Sequence, residues 1–371
     1  MESASLQDYL YLANCVPNGQ LKLGRLLKQF GSLCSIRRSL LDQPSSPAQS
    51  KDDLLLHLLQ QNEGRSEYKS EVDKAFKWAE NPSNSIISFE DPRYPALLKE
   101  IDDPPPVLYV EGNPELLSRS QIAVIGSRRA SVYGLRNAYW LGEELSKLGA
   151  TITSGMAAGI DCKAHEGALA CSGDTVAVVG TGIDICYPRS NKDLRHRIAA
   201  RGLIISEFPL GSPPHGFHFP QRNRIISGLS LGVVVVEAAM KSGSLITARL
   251  AMEQNREVFA LPGQITNPMS QGCHHLINDG VKLVQCVDDI AQEIKSWPSD
   301  LVSCPNLPQS RQVSNGERLI LKTLKAEPST LDYLLASVNV PEEELIRSLS
   351  ALEARQLISF SHGRYNYLDR D

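Results

Sequence analysis

Three short stretches carry side chains whose types and spacing suit the recognition of phosphate. Phe219, Arg222, Asn223 and Arg224 stand together ahead of an apolar helical stretch. A wholly apolar strand, Val233–Val236, runs into Glu237 and then into Lys241, Ser242, Gly243, Ser244 and Thr247. Gly126, Ser127, Arg128 and Arg129 follow another apolar strand, Ile122–Ile125. Arginine holds a phosphate through two parallel hydrogen bonds. The free N–H groups of a helix start bind anions, and an aromatic ring beside them can stack a base. Bland readings stand beside these. Ser127 and Arg128 can cap a helix and form a salt bridge, Ser242 or Ser244 can be an ordinary N-cap, and Phe219 can be a core anchor.

Other chemistries lack their signatures. The dinucleotide fingerprint G-x-G-x-x-G fails because position 128 is Arg, and no Walker A loop occurs. Asp161 and His165 share a helix face at i and i+4, but the spacing offers no third metal ligand. They are expected to form a hydrogen-bonded pair bracing the Gly155–Gly159 turn. Cys273, His274 and His275 give no complete zinc pattern, and no nucleophile elbow is visible. No catalytic residue, metal ligand or cofactor is expected. The rival reading is a Rossmann-like nucleotide-binding hydrolase with Glu207 or Glu237, both at strand ends, as general base.

The elements that position these residues follow from periodicity. Residues 1–80 read as a small helical domain, with Leu21, Leu23, Leu26, Leu27 and Phe30 at helical spacing and Gly31 as a stop. Residues 81–120 read as a turn-rich connector packed on the next domain, with Val107–Val110 as a short strand. Between 121 and 296, short β-rich runs alternate with helical stretches. The runs are Ile122–Ile125, Ala150–Thr153, Thr175–Val179, Leu203–Ser206, Val233–Val236, Glu257–Leu261 and Val281–Gln285. That pattern predicts an α/β fold, an extended Rossmann-like, doubly wound and mostly parallel sheet. Small and polar residues collect at the carboxyl ends of its strands, where such sheets bind ligands. Residues 297–312 are a Pro-containing linker. Residues 313–371 read as three helices and a β-hairpin turning at His362–Gly363, a winged-helix domain.

Charge narrows the partners. The whole chain, 371 residues long, carries a net charge of −4. From Arg119 to Arg224, thirteen Lys/Arg against eight Asp/Glu leave a local +5, which can focus an anionic polymer onto one face. From Arg311 to Asp371, eight Lys/Arg against nine Asp/Glu leave −1. The presumed recognition helix of the last domain opens with Glu342, Glu343 and Glu344, which repel phosphate. That domain is therefore not expected to be the main DNA reader. Hydrophobic residues make up 42% of the chain, with a mean hydropathy of −0.20. Pure apolar runs reach about five residues, far short of a membrane span, and the N-terminus lacks signal-peptide features. The eight cysteines form no CxxC pair, as expected of reduced thiols.

From Ile122 to Gly280 the chain closely resembles the DNA processing protein A (DprA, also called Smf) family. The resemblance is carried by Ala123–Arg128, Ser154–Asp161 with His165, Tyr187-Pro188, Ser206-Glu207, Phe219–Ser230, Glu237 with Lys241–Ala248, and Leu261–Gly263. Asp91–Gly112 resembles the family's lead-in to the sheet, and both terminal regions resemble optional additions. The resemblance implies a cytoplasmic, dimeric protein with no established catalytic activity. It implies binding and protection of single-stranded DNA during natural transformation, loading of the RecA recombinase, and displacement of single-strand binding protein. It places the family's Gly-Ser-Arg motif on Gly126, Ser127 and Arg128, and its Arg-Asn-Arg motif on Arg222, Asn223 and Arg224. The apolar Leu276–Leu283 segment is the expected dimer contact, in a stretch (Cys273–Val281) that departs from the family pattern.

Overall fold

The structure, a computed structural model, describes residues 6–15, 23–36, 66–171, 173–294, 315–338, 341–354, 358–361 and 364–367. The expected linker at 297–312 and the hairpin turn at His362–Gly363 lie outside the described residues. The chain divides into two compact units, Met1–Val302 and Ser303–Asp371.

The first unit is built on one nine-stranded sheet. In chain order the strands are β1 (Asn84–Ser88), β2 (Val107–Gly112), β3 (Gln121–Ile125), β4 (Thr151–Ser154), β5 (Thr175–Val178), β6 (Leu203–Ser206), β7 (Gly232–Val235), β8 (Glu257–Ala260) and β9 (Lys282–Leu283). Their spatial order is β1-β2-β6-β5-β4-β3-β7-β8-β9. Strands β3 to β9 pair in parallel, as their continuous apolar composition requires. The reading of 81–120 as a connector is corrected. β1 and β2 pair antiparallel with each other, and β2 pairs antiparallel with β6, so this segment extends the sheet.

Alternation along β3 shows how the layers form. Ile122 and Val124 point into one apolar cluster, and Ala123 and Ile125 into another. The helix after β3 (Val132–Lys147) and the one after β4 (Ile160–Ala170) bury Leu141, Leu145 and Ala164 on the first face. His218–Leu229 and Gly243–Glu253 bury Ile225, Leu229, Ala248 and Ala251 on the second. The chain thus leaves β3 toward one face and β7 toward the other. These neighbouring strands define the switch point of a doubly wound sheet, where a crevice must open at the carboxyl ends.

The N-terminal helices Leu6–Cys15 and Leu23–Phe30 share the second cluster: Tyr9, Leu10 and Leu27 pack in the same core as Ile87, Leu98 and Leu108. Gly31, at φ +76°, ends the second helix, its N–H bonding Leu27 O at 2.8 Å. In the second unit, helices Asn315–Ala326, Leu331–Val338 and Glu342–Ala354 enclose their own core of Ile320, Leu324, Leu334, Leu345, Leu349 and Leu352. Strands Ile358–Ser361 and Arg364–Tyr367 pair antiparallel there. Among the described residues no helix is long and apolar enough to cross a membrane.

The Asp161–His165 pair expected from spacing does not form. The His165 ring lies fully buried with Nδ1 2.7 Å from Thr175 Oγ1 on β5. Asp161 Oδ2 instead accepts the N–H groups of Gly155 (3.1 Å) and Ala157 (3.4 Å). It braces the turn through backbone rather than through histidine.

Two outcomes follow from this packing. A side chain on Gly167 would collide with the backbone of Tyr139 in the facing helix. Gly167→Val should therefore destabilise the fold by about 1–3 kcal/mol; an unchanged thermal midpoint would contradict the close helix contact. Burial lowers the pKa of His165 from 6.5 to about 3, with Arg222 acting in the same direction. Between these values the unfolded chain takes up a proton that the folded chain refuses, so stability falls as pH drops through that window. Urea melts at pH 7 and pH 4 should show a smaller acid loss for His165→Asn than for the wild type. Equal losses would refute a neutral buried imidazole.

Candidate nucleic-acid interface

A cavity of about 300 Å³ opens at the switch point. Its walls come from the end of β3 and the loop after it (Ile125, Gly126, Arg128), the loop after β4 and the start of the helix Ile160–Ala170 (Ala157, Asp161), the helix His218–Leu229 (Phe219, Arg222, Asn223) and the start of Gly243–Glu253 (Ser242, Gly243, Ser244, Thr247). Nine of the residues singled out from sequence thus meet in one place: Gly126, Arg128, Phe219, Arg222, Asn223, Ser242, Gly243, Ser244 and Thr247. Ser127, Arg129, Arg224 and Lys241 do not line it.

Each wall has a local cause. Gly126 has no room for a Cβ, which would strike Ile160 and the Glu237 carbonyl. This close approach lets Ser127 N–H reach Glu237 O at 2.7 Å. Ser127 Oγ turns inward, accepting from Arg129 N–H at 3.1 Å and lying 3.6 Å from Met269 Sδ. The glutamate also caps the next helix. Ser131 donates to its carboxylate through Oγ (2.5 Å) and N–H (2.8 Å), while Ser131 Oγ accepts from Gly134 N–H (3.0 Å). With the loop pinned, the Arg128 and Arg129 side chains stand exposed, and neither makes an ion pair among the described residues. Arg128 Cζ sits 5.1 Å from the centroid of the Phe219 ring, a cation–π contact that orients both. The Tyr187 ring supports Phe219 from 5.5 Å.

The opposite wall is a helix start. Ser242 caps Gly243–Glu253 by accepting from Ser244 N–H at 3.2 Å. The cap leaves the positive end of the helix facing the cavity, so capping and anion attraction coexist. Lys241 is exposed beside it.

The arginines of the middle motif differ from the sequence expectation. Phe219, Arg222, Asn223 and Arg224 lie within the helix His218–Leu229 rather than ahead of it. Arg222 is 3% exposed and donates from Nη1 to Gly155 O at 2.8 Å and to Val178 O. Burial lowers its pKa to about 10, opposed by Asp161, so it stays charged at neutral pH. It forms a fixed positive floor beneath the cavity, with Nε left without a hydrogen-bond partner. Arg224, expected to hold phosphate, is engaged inside the protein. Nη1 and Nη2 bond Glu207 at 3.0 and 2.6 Å, and Nε lies 3.7 Å from Asp103. Its fork is therefore spent on carboxylates inside the protein.

The same contacts account for both strand-end glutamates. Glu207, whose carboxyl is raised by burial and opposed by Arg224, is locked in that ion pair. Glu237 is engaged by Ser131 and lies 3.4 Å from Asn267 Nδ2. Neither faces the cavity as a base awaiting substrate. In the expected dimer segment Leu276–Leu283, Ile277, Val281 and Leu283 are half-buried. Leu276 is 6% exposed and belongs to the core of its own chain. Sequence reasoning did not identify Ala157, Gly216 and Pro220 as cavity residues; the Gly155–Gly159 turn was the signal for the first.

A family model described as DNA recombination-mediator protein A matches residues 85–295. The chain is 39% identical to Protein Smf of Escherichia coli (strain K12), over 81% of this chain and 82% of that protein. It is 47% identical to DNA processing protein DprA of Streptococcus pneumoniae, over 58% of this chain and 74% of that one. The X-ray structure of DprA from Streptococcus pneumoniae superposes with a TM-score of 0.65 at 35% identity, covering 79% of this chain and 99% of that one. A structure of DNA processing protein A from Helicobacter pylori, described for its single-stranded DNA binding mode, superposes at 0.51 with 32% identity, covering 56% and 93%. The sheet, the switch-point cavity and these likenesses agree: the chain belongs to the DNA recombination-mediator protein A family.

Proposed function

We propose that this protein is a single-stranded DNA-binding mediator of recombination in natural transformation. It protects incoming DNA and promotes loading of the RecA recombinase in place of single-strand binding protein. The observation that carries the reading is the cavity between β3 and β7. An exposed arginine on an aromatic ring, a buried cation and a helix N-terminus converge there on a space suited to a nucleotide unit. In this reading Arg128 and Arg129 neutralise phosphates on the strand, Ser242, Gly243 and Ser244 offer backbone N–H groups, and Lys241 extends the cationic rim. Asn223 and Thr247 complete the polar lining around the strand, while Ser127 fixes the Arg128 loop through Glu237 O and Arg129 N–H. Such contacts read the backbone and carry little base sequence information.

The protein acts without catalysis or cofactor, in the cytoplasm, as a homodimer. Both glutamates of the hydrolase scheme are engaged in structural bonds, which weighs against that rival. The unit Ser303–Asp371 is a winged helix with an accessory role, since its sequence lacks the positive excess of a DNA reader.

Fluorescence anisotropy with a labelled oligonucleotide tests the assignment. Arg128→Ala should weaken binding at least tenfold, because a charge-assisted hydrogen bond contributes about 1.5–3 kcal/mol, and should leave the thermal midpoint unchanged. Unaltered affinity would refute the phosphate role. Arg224→Leu should do the reverse in its main effect. It leaves Glu207 buried and unpaired, at a cost of about 3–5 kcal/mol in stability; a variant as stable as wild type would restore Arg224 as a candidate DNA contact. Affinity should also fall with salt, with a log–log slope of about −0.7 per phosphate neutralised. A flat titration would exclude backbone recognition.

A further inference from the structure

We infer that His215 and Phe217 form a second, base-stacking platform at the mouth of the cavity, carrying the strand beyond the nucleotide held at Phe219. The inference rests on the single-stranded DNA reading and adds residues that none of the three phosphate-binding stretches contains.

Phe217 is 56% exposed, which is costly for a ring of that size unless something covers it. It is nevertheless held firmly. Its ring lies nearly parallel to that of His215, 5.4 Å between centroids and 6° between planes. The buried His218 meets both edge-on, at 4.7 Å from Phe217 and 5.1 Å from His215. His218 in turn stacks at 4.0 Å on Phe208, which is 1% exposed. A ladder of rings therefore runs from the core to the surface and fixes the outer pair.

The backbone beneath is fixed as well. Gly211 N–H bonds the Asp184 carboxylate at 2.9 Å, Gly182 N–H bonds Ser212 O at 2.9 Å, and His215 N–H bonds Pro213 O at 2.8 Å. Pro213 and Pro214 restrict the chain just before the rings. A pre-ordered flat surface loses little entropy on binding.

Position selects the occupant. Gly216 and Phe219, the residues on either side of the Phe217–His218 pair, both line the cavity. A strand whose phosphates follow Arg128 and the start of Gly243–Glu253 reaches the rim where Phe217 stands. Its unpaired bases are flat, apolar on their faces and tolerant of sequence, and they match a flat exposed ring. The centroid spacing of the His215–Phe217 pair leaves no gap for a base between them, so the base stacks on the outer side of the pair.

The test compares two single strands on the full chain: oligo-dT, and a strand of equal length carrying abasic sites, which keeps the phosphates and removes the bases. Phe217→Ala should weaken oligo-dT binding about tenfold and leave abasic-strand binding unchanged. Phe217→Trp should restore oligo-dT affinity, and circular dichroism should match wild type throughout. Arg128→Ala should weaken both strands. Unchanged oligo-dT affinity in Phe217→Ala, or equal losses on both strands, would overturn the platform while leaving the DNA reading intact. Failure of the wild-type chain to bind either strand would overturn the underlying reading, and the platform with it.

Discussion

Glu237 is the constraint on which the site depends. It follows β7 by two residues, yet its hydrogen bonds go to the neighbouring strand's loop: its carbonyl accepts Ser127 N–H, and its carboxylate accepts both the N–H and the hydroxyl of Ser131. One residue thereby ties together two loops that leave the sheet toward opposite faces. This clamp works because Gly126 and Gly134 present no side chain toward it. Arg128, between the two tied points Ser127 and Ser131, must then project outward, where the Phe219 ring receives it. A loop carrying an exposed arginine is thus fixed in advance, which lowers the entropy cost of any binding there.

A division of labour among cations follows. Arg128, Arg129 and Lys241 are exposed and free to meet phosphate. Arg222 and Arg224 are inside, and each serves the structure differently. Arg222 ties the loop after β4 to the end of β5 through two carbonyls, and stays charged under the cavity. Arg224 anchors its helix to Glu207 at the end of β6 and to Asp103 before β2. Burying such charges is expensive unless they are fully paired. Their cost is offset by the hydrogen bonds and ion pairs that tie four segments to the helix His218–Leu229: the loop after β4, the ends of β5 and β6, and the stretch before β2.

Much of this was legible in the chain itself. Parallel strands covered on both faces must be continuously apolar, so the runs from Ile122 to Leu261 announced the sheet. Glycine and hydroxyl residues after those runs marked the loops, and Ser242 caps its helix where its sequence position suggests. Less visible was anything decided by a partner distant in sequence. Asn84–Ser88, in which only Ile86 and Ile87 are apolar, is too polar for an unaided strand assignment; it becomes one because β2 offers it an edge. The burial of Arg224 depends on Glu207, and the Asp161 carboxylate chose two backbone N–H groups over the histidine one turn away. The aromatic ladder at Phe217 was hidden for the same reason, since Phe208 lies outside any periodic pattern that includes it.

The most direct measurement is a crystal structure of the full chain with a bound oligo-dT strand. The account predicts a phosphate within hydrogen-bonding distance of the Arg128 guanidinium, a second group at the N-terminus of Gly243–Glu253, and a base against the Phe219 side of the cavity. Arg224 should remain paired with Glu207. A strand bound elsewhere on the chain, with the cavity between β3 and β7 empty, would contradict the account at its centre.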